Sequence, residues 1–378
     1  MKTTTIGIIG CGNISDAYLK GAARSDLITV KAVADIDAGA AALKAEAFDV
    51  QAMTVEQLLA DSEIEIVINI TVPLAHVEVS HAIVDAGKHV YSEKPLAVTL
   101  TEGRDLMAAV NAAGVRLGCA PDTFLGAGHQ ACRQAIDSGR IGNILGGAAA
   151  VLTHGMEHWH PNPTFFFKPG GGPMLDLGPY YLTQLVNMIG PVARVACLTS
   201  RGSETRTVTS EGPMTGEMID VEVPTTVNGV LAFENGANVT LTTSWDVWKS
   251  ERLPFEVYGS EGTMLVPDPN FFGGHPKLSN GKGDWEELGI GAFAFGASNR
   301  RDGKGEEVAD YRIIGLLDMA AALESGRPHR ANGEMALHVL EVMEALVTSS
   351  NEGLHIDIES RPERPAPLAQ GDGESVFL

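Results

Sequence analysis

Glu93-Lys94-Pro95 closes a short apolar run, His89-Val90-Tyr91-Ser92. A buried strand has no structural need to stop on a charged pair, and proline cannot extend a sheet, so the chain turns there. Open α/β sheets bind their ligands at the carboxyl tips of parallel strands, which makes Lys94 the leading candidate for catalysis. Asp176 and Tyr180 form a second constellation. Pro173 suits the first turn of a helix running to Ile189, and residues four apart share a helix face. Asp176 near that helix start is also what the helix dipole favours by itself. A third constellation is the loop holding His154, His158, Trp159, His160 and Asn162. Three histidines so close invite a metal reading, but no matching Cys, His or Asp cluster recurs elsewhere, and the expectation is no metal. Trp159 offers an apolar face to a ring-bearing ligand, and His158, His160 and Asn162 offer hydrogen bonds to hydroxyls. An aromatic-rich domain cover explains any one of them equally well.

The elements that must position Lys94 can be read in order. Residues 5–10 are β-branched, end in glycine and predict a buried strand. Gly10-Cys11-Gly12-Asn13-Ile14-Ser15 follows, then a helix over 17–23. This is G-x-G-x-x-G with serine in the third place. The first glycine allows the tight turn, the second lets a pyrophosphate approach the backbone, and a small third residue lets helix and strand pack. The helix start supplies free N–H groups for phosphate. A second strand over 28–34 ends at Asp35, where a carboxylate meets the adenine ribose hydroxyls. It would repel a 2′-phosphate, so NAD is favoured over NADP; Asp37 adds slightly to that charge. A helix N-cap is the plainer reading of Asp35. Thr54 and Thr99 each open a helix with a capping box. Residues 64–70 are a continuous apolar strand running into Thr71-Val72-Pro73, where the chain crosses the cofactor. The helix over 74–86 stops at Gly87, and another strand covers 115–119. Alternation of strand and helix predicts a parallel, doubly wound sheet.

Length and composition leave room for this and narrow the partners. The chain has 378 residues, enough for two domains, and a net charge of −21. That charge argues against nucleic acid and acidic membranes, both polyanions. Cys11, Cys119, Cys132 and Cys197 show no paired spacing, which fits a reducing compartment. With no leader-like opening and no apolar stretch long enough to span a bilayer, the expected location is the cytoplasm.

These motifs together resemble the Gfo/Idh/MocA oxidoreductases, named for glucose–fructose oxidoreductase and inositol dehydrogenase. The resemblance is carried by Gly7 to Ile14, by Thr71-Val72-Pro73-Leu74-Ala75-His76, and by Ala86-Gly87-Lys88-His89-Val90 leading into Glu93-Lys94-Pro95-Leu96-Ala97. Gly170-Gly171-Gly172-Pro173-Met174-Leu175-Asp176-Leu177-Gly178 carries it further. It implies a Rossmann domain followed by an α/β domain with a large open sheet. It also implies NAD(P)-dependent oxidation or reduction of sugars, polyols or related compounds. On the cofactor side it points to Gly10, Gly12, Asn13, Ile14, Asp35, Thr71, Pro73, His76, Glu93 and Lys94. In the resembled family the aspartate matching Asp176 lines the sugar site, and a histidine four residues later commonly serves as acid/base. Here Tyr180 stands in that place. A phenol ordinarily ionises near pH 10, so its use as a base asks for a nearby cation. Lys94 as that cation, with Asp176 orienting the substrate, is the working expectation. His158 or His160 as base, or Lys94 itself, remain alternatives. So do a non-catalytic NAD-dependent sugar sensor and a reductase of a non-sugar substrate such as an aromatic diol or a linear tetrapyrrole.

Past residue 121 the rhythm changes. A helix over 126–138 precedes strands over 148–153, 225–233 and 237–245, the last two joined by Asn235-Gly236, a strong hairpin signal. Further strands cover 255–258 and 263–266, and helices over 309–324 and 333–347 close the fold. The expected organisation is a Rossmann domain over 1–121, a substrate and oligomerisation α+β domain with a mostly antiparallel open sheet over 122–360, and a Pro/Gly-rich tail over 361–378, loosely ordered or packed as an arm. The family's sheet commonly pairs across a dimer face, and the Thr- and Val-rich strands permit a homodimer or homotetramer.

Overall fold

The structure, a computed structural model, describes residues 3–302 and 305–371. The chain forms two compact units that are not contiguous in sequence. The first takes residues up to Ala127, Gly291–Leu340 and the tail from Pro365; the second takes Gly128–Ile290 and Glu341–Arg364. The span 122–360 expected as one domain is therefore divided, with 291–340 packing in the first unit.

The first unit is built on six strands: β1 (Thr4–Ile9), β2 (Ile28–Ala34), β3 (Gln51–Ala52), β4 (Ile66–Asn69), β5 (His89–Ser92) and β6 (Leu117–Cys119). All pair in parallel in the order β3-β2-β1-β4-β5-β6. Order reverses between β1 and β4, which opens a crevice at their carboxyl tips. The linking helices are α1 (Ser15–Ala22), α2 (Ala38–Phe48), α3 (Val55–Ala60), α4 (His76–Asp85) and α5 (Leu100–Ala113). The capping boxes at Thr54 and Thr99 are both formed. Buried Ile9, Val67, Ile83, Val90, Leu96, Leu106 and Val110 pack one face of the sheet. Continuous apolar strands of this kind are what a sheet covered on both faces requires.

The second unit begins with α6 (Ala127–Asp137), β7 (Ile144–Leu152) and α7 (Pro173–Ile189). Its strands continue as β8 (Val192–Ser200), β9 (Thr205–Thr207), β10 (Met218–Asp220), β11 (Thr226–Phe233), β12 (Asn238–Ser244), β13 (Phe255–Gly259), β14 (Thr263–Leu265), β15 (Lys277–Ser279) and β16 (Glu286–Glu287). The short pair β17 (Arg300–Arg301) and β18 (Glu307–Val308), and helix α8 (Ile314–Ser325), belong to the first unit; α9 (Gly333–Glu352) and β19 (Ile356–Asp357) complete the chain. The nine-stranded sheet runs β16-β15-β14-β13-β7-β12-β11-β8-β19. It is antiparallel except where β7 pairs with β12. The β11–β12 hairpin turns at Asn235-Gly236 as expected, with Gly236 at φ +90°. Helix α7 packs on β7, β11 and β12.

The tail is an arm where it is described. Arg364 donates to Asp137 and the Asn187 carbonyl, and Arg330 donates to the carbonyls of Ala366 and Pro367. Residues 372–378 lie outside the described residues.

Candidate functional site

The glycine loop leaves β1 through Gly10, at φ +110°. A Cβ there would stand 2.6 Å from the Ile70 carbonyl oxygen, so glycine alone lets β1 and the end of β4 approach. Gly12 differs. It is exposed, and a Cβ on it would meet nothing within 4 Å. The loop thus presents open backbone beside the turn of Asn13 and Ile14 that opens α1. Ser15 is buried and its hydroxyl turns back to the Gly12 carbonyl at 2.6 Å, as the small third residue of the motif requires. Asp35, at the tip of β2, accepts the Cys11 N–H at 2.6 Å on one oxygen and the Asp37 N–H at 2.9 Å on the other. The carboxylate is thereby fixed over the loop. The N-cap of α2 is Asp37, which accepts from Gly39 and Ala40, so the capping role suggested for Asp35 belongs to its neighbour. Burial and the adjacent Asp35 push the Cys11 thiol up to about 11.

At the tip of β4, Asn69 ties the crossing segment. Its Oδ1 accepts from the N–H and hydroxyl of Thr71, and its Nδ2 donates to Ser80 and to the His76 carbonyl. Pro73 starts a short 3-10 turn into α4. At the tip of β5, Glu93 is pinned through both carboxylate oxygens: Tyr18 of α1 donates at 2.8 Å and the Lys94 N–H at 3.0 Å. The Glu93 N–H donates to the Asn69 carbonyl at 2.9 Å. Lys94, half-buried, follows this anchored acid. His76 departs from expectation. Its ring is 1% exposed and both nitrogens face backbone carbonyls, Pro95 at 2.8 Å and Thr71 at 3.1 Å. Its side chain is spent on the protein and not offered to a cofactor.

These residues fit a dinucleotide. Open backbone at Gly12 and the start of α1 would hold a pyrophosphate, Asp35 a ribose, and Thr71, Pro73, Glu93 and Lys94 the nicotinamide half. Sequence reasoning missed a set of apolar side chains at the same sheet edge. Ile36 after β2, and Val72 and Leu74 after β4, are large, apolar and exposed, a surface that favours a flat, partly apolar ligand. The available signal was an isoleucine directly behind the strand-end acid.

In the second unit, the three histidines meet three different fates. His154 stacks between Trp248, with ring centroids 3.3 Å apart, and His158, at 4.7 Å. Burial, with His158 and Arg206 nearby, holds its pKa below the ordinary imidazole value. The Nδ1 of His158 lies 2.6 Å from the Thr209 hydroxyl and its Nε2 3.4 Å from Glu157. Both ring nitrogens of His158, expected to bind substrate, thus face groups of the protein. His160 lies edge-on to Phe165 and Phe166, and its Nδ1 accepts the Asn162 N–H at 3.1 Å. Asn162 and Trp159 are exposed, and so is Trp248, at 81%. Trp248 is an aromatic surface that the sequence reading did not single out.

What holds this loop is a buried ion cluster. Arg206, from β9, donates to Glu157 at 2.9 Å and to Asp246, and its guanidinium lies over the Phe167 ring. Asp246 also accepts from the hydroxyls of Thr225 and Thr226. Beneath sit Met156, Phe167, Val208, Ile219, Val221 and Trp245. The glycine run joins the loop to α7. Gly171 would carry a Cβ 2.4 Å from the Phe166 carbonyl, and the Gly172 N–H donates to that carbonyl at 2.7 Å. Helix α7 starts at Pro173, so Asp176 stands in its first turn, half-buried, and Tyr180 one turn later, 8% exposed. The sequence placed both residues correctly on one helix.

Comparison with known proteins agrees with this anatomy. Residues 4–120 match the oxidoreductase family model with an NAD-binding Rossmann fold, and residues 129–265 match the GFO/IDH/MocA C-terminal domain. The 1,5-anhydro-D-fructose reductase of Ensifer adhaerens is 30% identical over 266 residues, which cover 68% of this chain and 74% of that protein. The inositol 2-dehydrogenase of Salmonella typhimurium is 32% identical over 163 residues, 41% of this chain and 46% of that one. Among solved structures, apo levoglucosan dehydrogenase superposes with a TM-score of 0.81 at 21% identity, covering 96% of this chain and all of the other, a likeness of fold. Among the described residues no helix is long and apolar enough to cross a membrane. Matched in both halves, and related to the reductase along two thirds of its length, the chain belongs to the Gfo/Idh/MocA family of NAD-binding oxidoreductases.

Proposed function

We propose that this protein transfers hydride between NAD and a secondary hydroxyl or ketone of a sugar, polyol or glycoside. The observation that carries the reading is the effort made to hold Lys94. Tyr18, Asn69 and the Lys94 N–H itself fix Glu93 in front of it, at the tip of a strand whose sheet also carries the glycine loop. A purely solvating lysine needs no such anchoring. The names of the relatives, a reductase of anhydrofructose and a dehydrogenase of inositol, support the substrate class. Asp35 supports NAD over NADP, because its charge opposes a 2′-phosphate.

Bound nicotinamide supplies or accepts the hydride. This chain's residues manage the proton. In the oxidative direction the substrate hydroxyl must lose a proton as its C–H bond breaks, and the acceptor must lie within hydrogen-bond reach. Lys94 supplies positive charge to the oxygen, Tyr180 receives the proton as the phenolate, and Asp176 orients the sugar hydroxyls. Trp159, His160 and Asn162 belong to the substrate loop, with Trp248 added to it. The four free, buried cysteines suit the reducing cytoplasm. Leu198 and Val230, exposed on the neighbouring strands β8 and β11 of the large sheet, suit a homo-oligomer.

The test is to incubate the protein with NAD and a panel of sugars, inositols and glycosides and to follow reduced nicotinamide. Turnover is expected for at least one polyol, and Tyr180→Phe is expected to lower kcat by about 10²-fold or more. Measurable NAD binding with no turnover on any polyol would replace this reading with that of a sensor. Full turnover by Tyr180→Phe would remove the tyrosine from its role.

A further inference from the structure

His76 lies at the junction of two strand tips. It is the first residue of α4, and its buried ring stands between the Thr71 carbonyl, just past β4, and the Pro95 carbonyl, just past Lys94. Burial lowers its pKa below the ordinary imidazole value. A neutral ring carries one N–H, so it donates to one of the two carbonyls, and the contact to Pro95 is the shorter. Asn69 holds the other side of the same junction through the His76 carbonyl, Thr71 and the Glu93 N–H. Lys94 is thus bracketed. Its own N–H and the residue before it are tied to Glu93, Tyr18 and Asn69, and the carbonyl of the residue after it is tied to His76.

We propose that His76 is a positioning residue that clasps the Lys94-Pro95 turn to the Thr71–Pro73 crossing and so sets where the Lys94 side chain is presented. Its role in turnover rests on the reading of Lys94 as the catalytic cation. The clasp itself does not. Without the ring, a buried carbonyl after Lys94 loses its donor, and the turn gains freedom where small displacements cost rate.

The test compares His76→Leu, which removes the donor, with His76→Gln, whose amide can still donate. NAD affinity is measured by titration. The reactivity of Lys94 is measured, with no substrate present, by competitive acylation and mass spectrometry against Lys31 and Lys44 as internal standards. In His76→Leu the relative acylation rate of Lys94 is expected to change by about threefold or more, kcat to fall about 10- to 100-fold, and both KM and the NAD Kd to stay within about threefold. His76→Gln should recover part of each change. An unchanged Lys94 rate with unchanged kcat overturns the proposal. So does a loss of NAD affinity with Lys94 reactivity intact, which would return His76 to the cofactor. If His76→Leu does not fold, His76→Phe, which fills the ring's space but lacks the donor, takes its place against His76→Gln. A changed Lys94 rate in a protein with no polyol turnover would uphold the clasp and reject the dehydrogenase.

Discussion

Two glycines two residues apart should respond oppositely to the same substitution. Gly10→Ala places a methyl 2.6 Å from the Ile70 carbonyl oxygen and 2.7 Å from its carbon, on a backbone at φ +110°. A left-handed backbone costs a non-glycine residue about 1–2 kcal/mol, and overpacking against rigid main chain adds roughly 1–3 kcal/mol. The expected destabilisation is therefore about 2–5 kcal/mol. For a unit of this size each kcal/mol lowers Tm by roughly 2–4 °C. Gly12→Ala meets nothing within 4 Å, and removing a glycine at a compatible position stabilises by up to about 1 kcal/mol through the unfolded chain. The new methyl would stand where a pyrophosphate approaches. Its cost falls on binding, about 10- to 100-fold in the NAD Kd, or roughly 1.4–2.7 kcal/mol. Thermal unfolding of the apo variants and calorimetric titration with NAD separate the two effects. Wild-type NAD affinity in Gly12→Ala would show that the open backbone is not the phosphate site. Equal falls in Tm for both variants would refute the assignment of the two roles.

Asp35→Ser removes the acceptor of the Cys11 and Asp37 N–H groups and the charge that opposes a 2′-phosphate. NAD affinity should fall about tenfold or more while the ratio of NADP to NAD affinity rises, and an unchanged ratio would rule out Asp35 as the discriminator. Asp122 is buried, with one oxygen accepting the Ile313 and Gly315 N–H groups, and burial raises its pKa to about 6. Its raised value means that its contribution to stability is present below the unfolded value near 4 and is lost as pH rises through about 6. Asn can accept both N–H groups on its single oxygen, so Asp122→Asn should gain on wild type by up to about 3 kcal/mol between pH 4 and pH 7.5 in urea unfolding; a constant difference would count against the buried charge.

The cofactor side was legible because its signals are local. A tight turn, a helix start and a strand-end acid all fall within a few residues of one another, and each has a residue type that its geometry demands. The same holds for the capping boxes at Thr54 and Thr99. The membership of 291–340 was not legible, because its links are distant in sequence. Cys119 donates to the Ala331 carbonyl, Gly118 bridges Asn332, and His329 reaches the Leu117 carbonyl. The segment covers the open edge of β6, and an edge strand states that it needs cover without stating which part of the chain provides it.

The histidines make the same point about side chains. The sequence showed four ring-bearing residues, His154, His158, Trp159 and His160, where a polar ligand could bind, but a ring's role depends on what its nitrogens meet. His158 meets Thr209, fifty-one residues on, and His76 meets Pro95, nineteen residues on. Arg206, which organises the loop through Glu157 and Asp246, sits on a strand of three residues with no motif around it. A buried ion pair of this kind contributes little net stability when its desolvation is counted, so its retention needs another reason. Holding His154, His158 and Trp248 in one stack is such a reason: the cluster fixes an aromatic wall on a loop that has no regular secondary structure to fix it. Arg206→Met, which keeps the volume and removes the charge, isolates that role from packing.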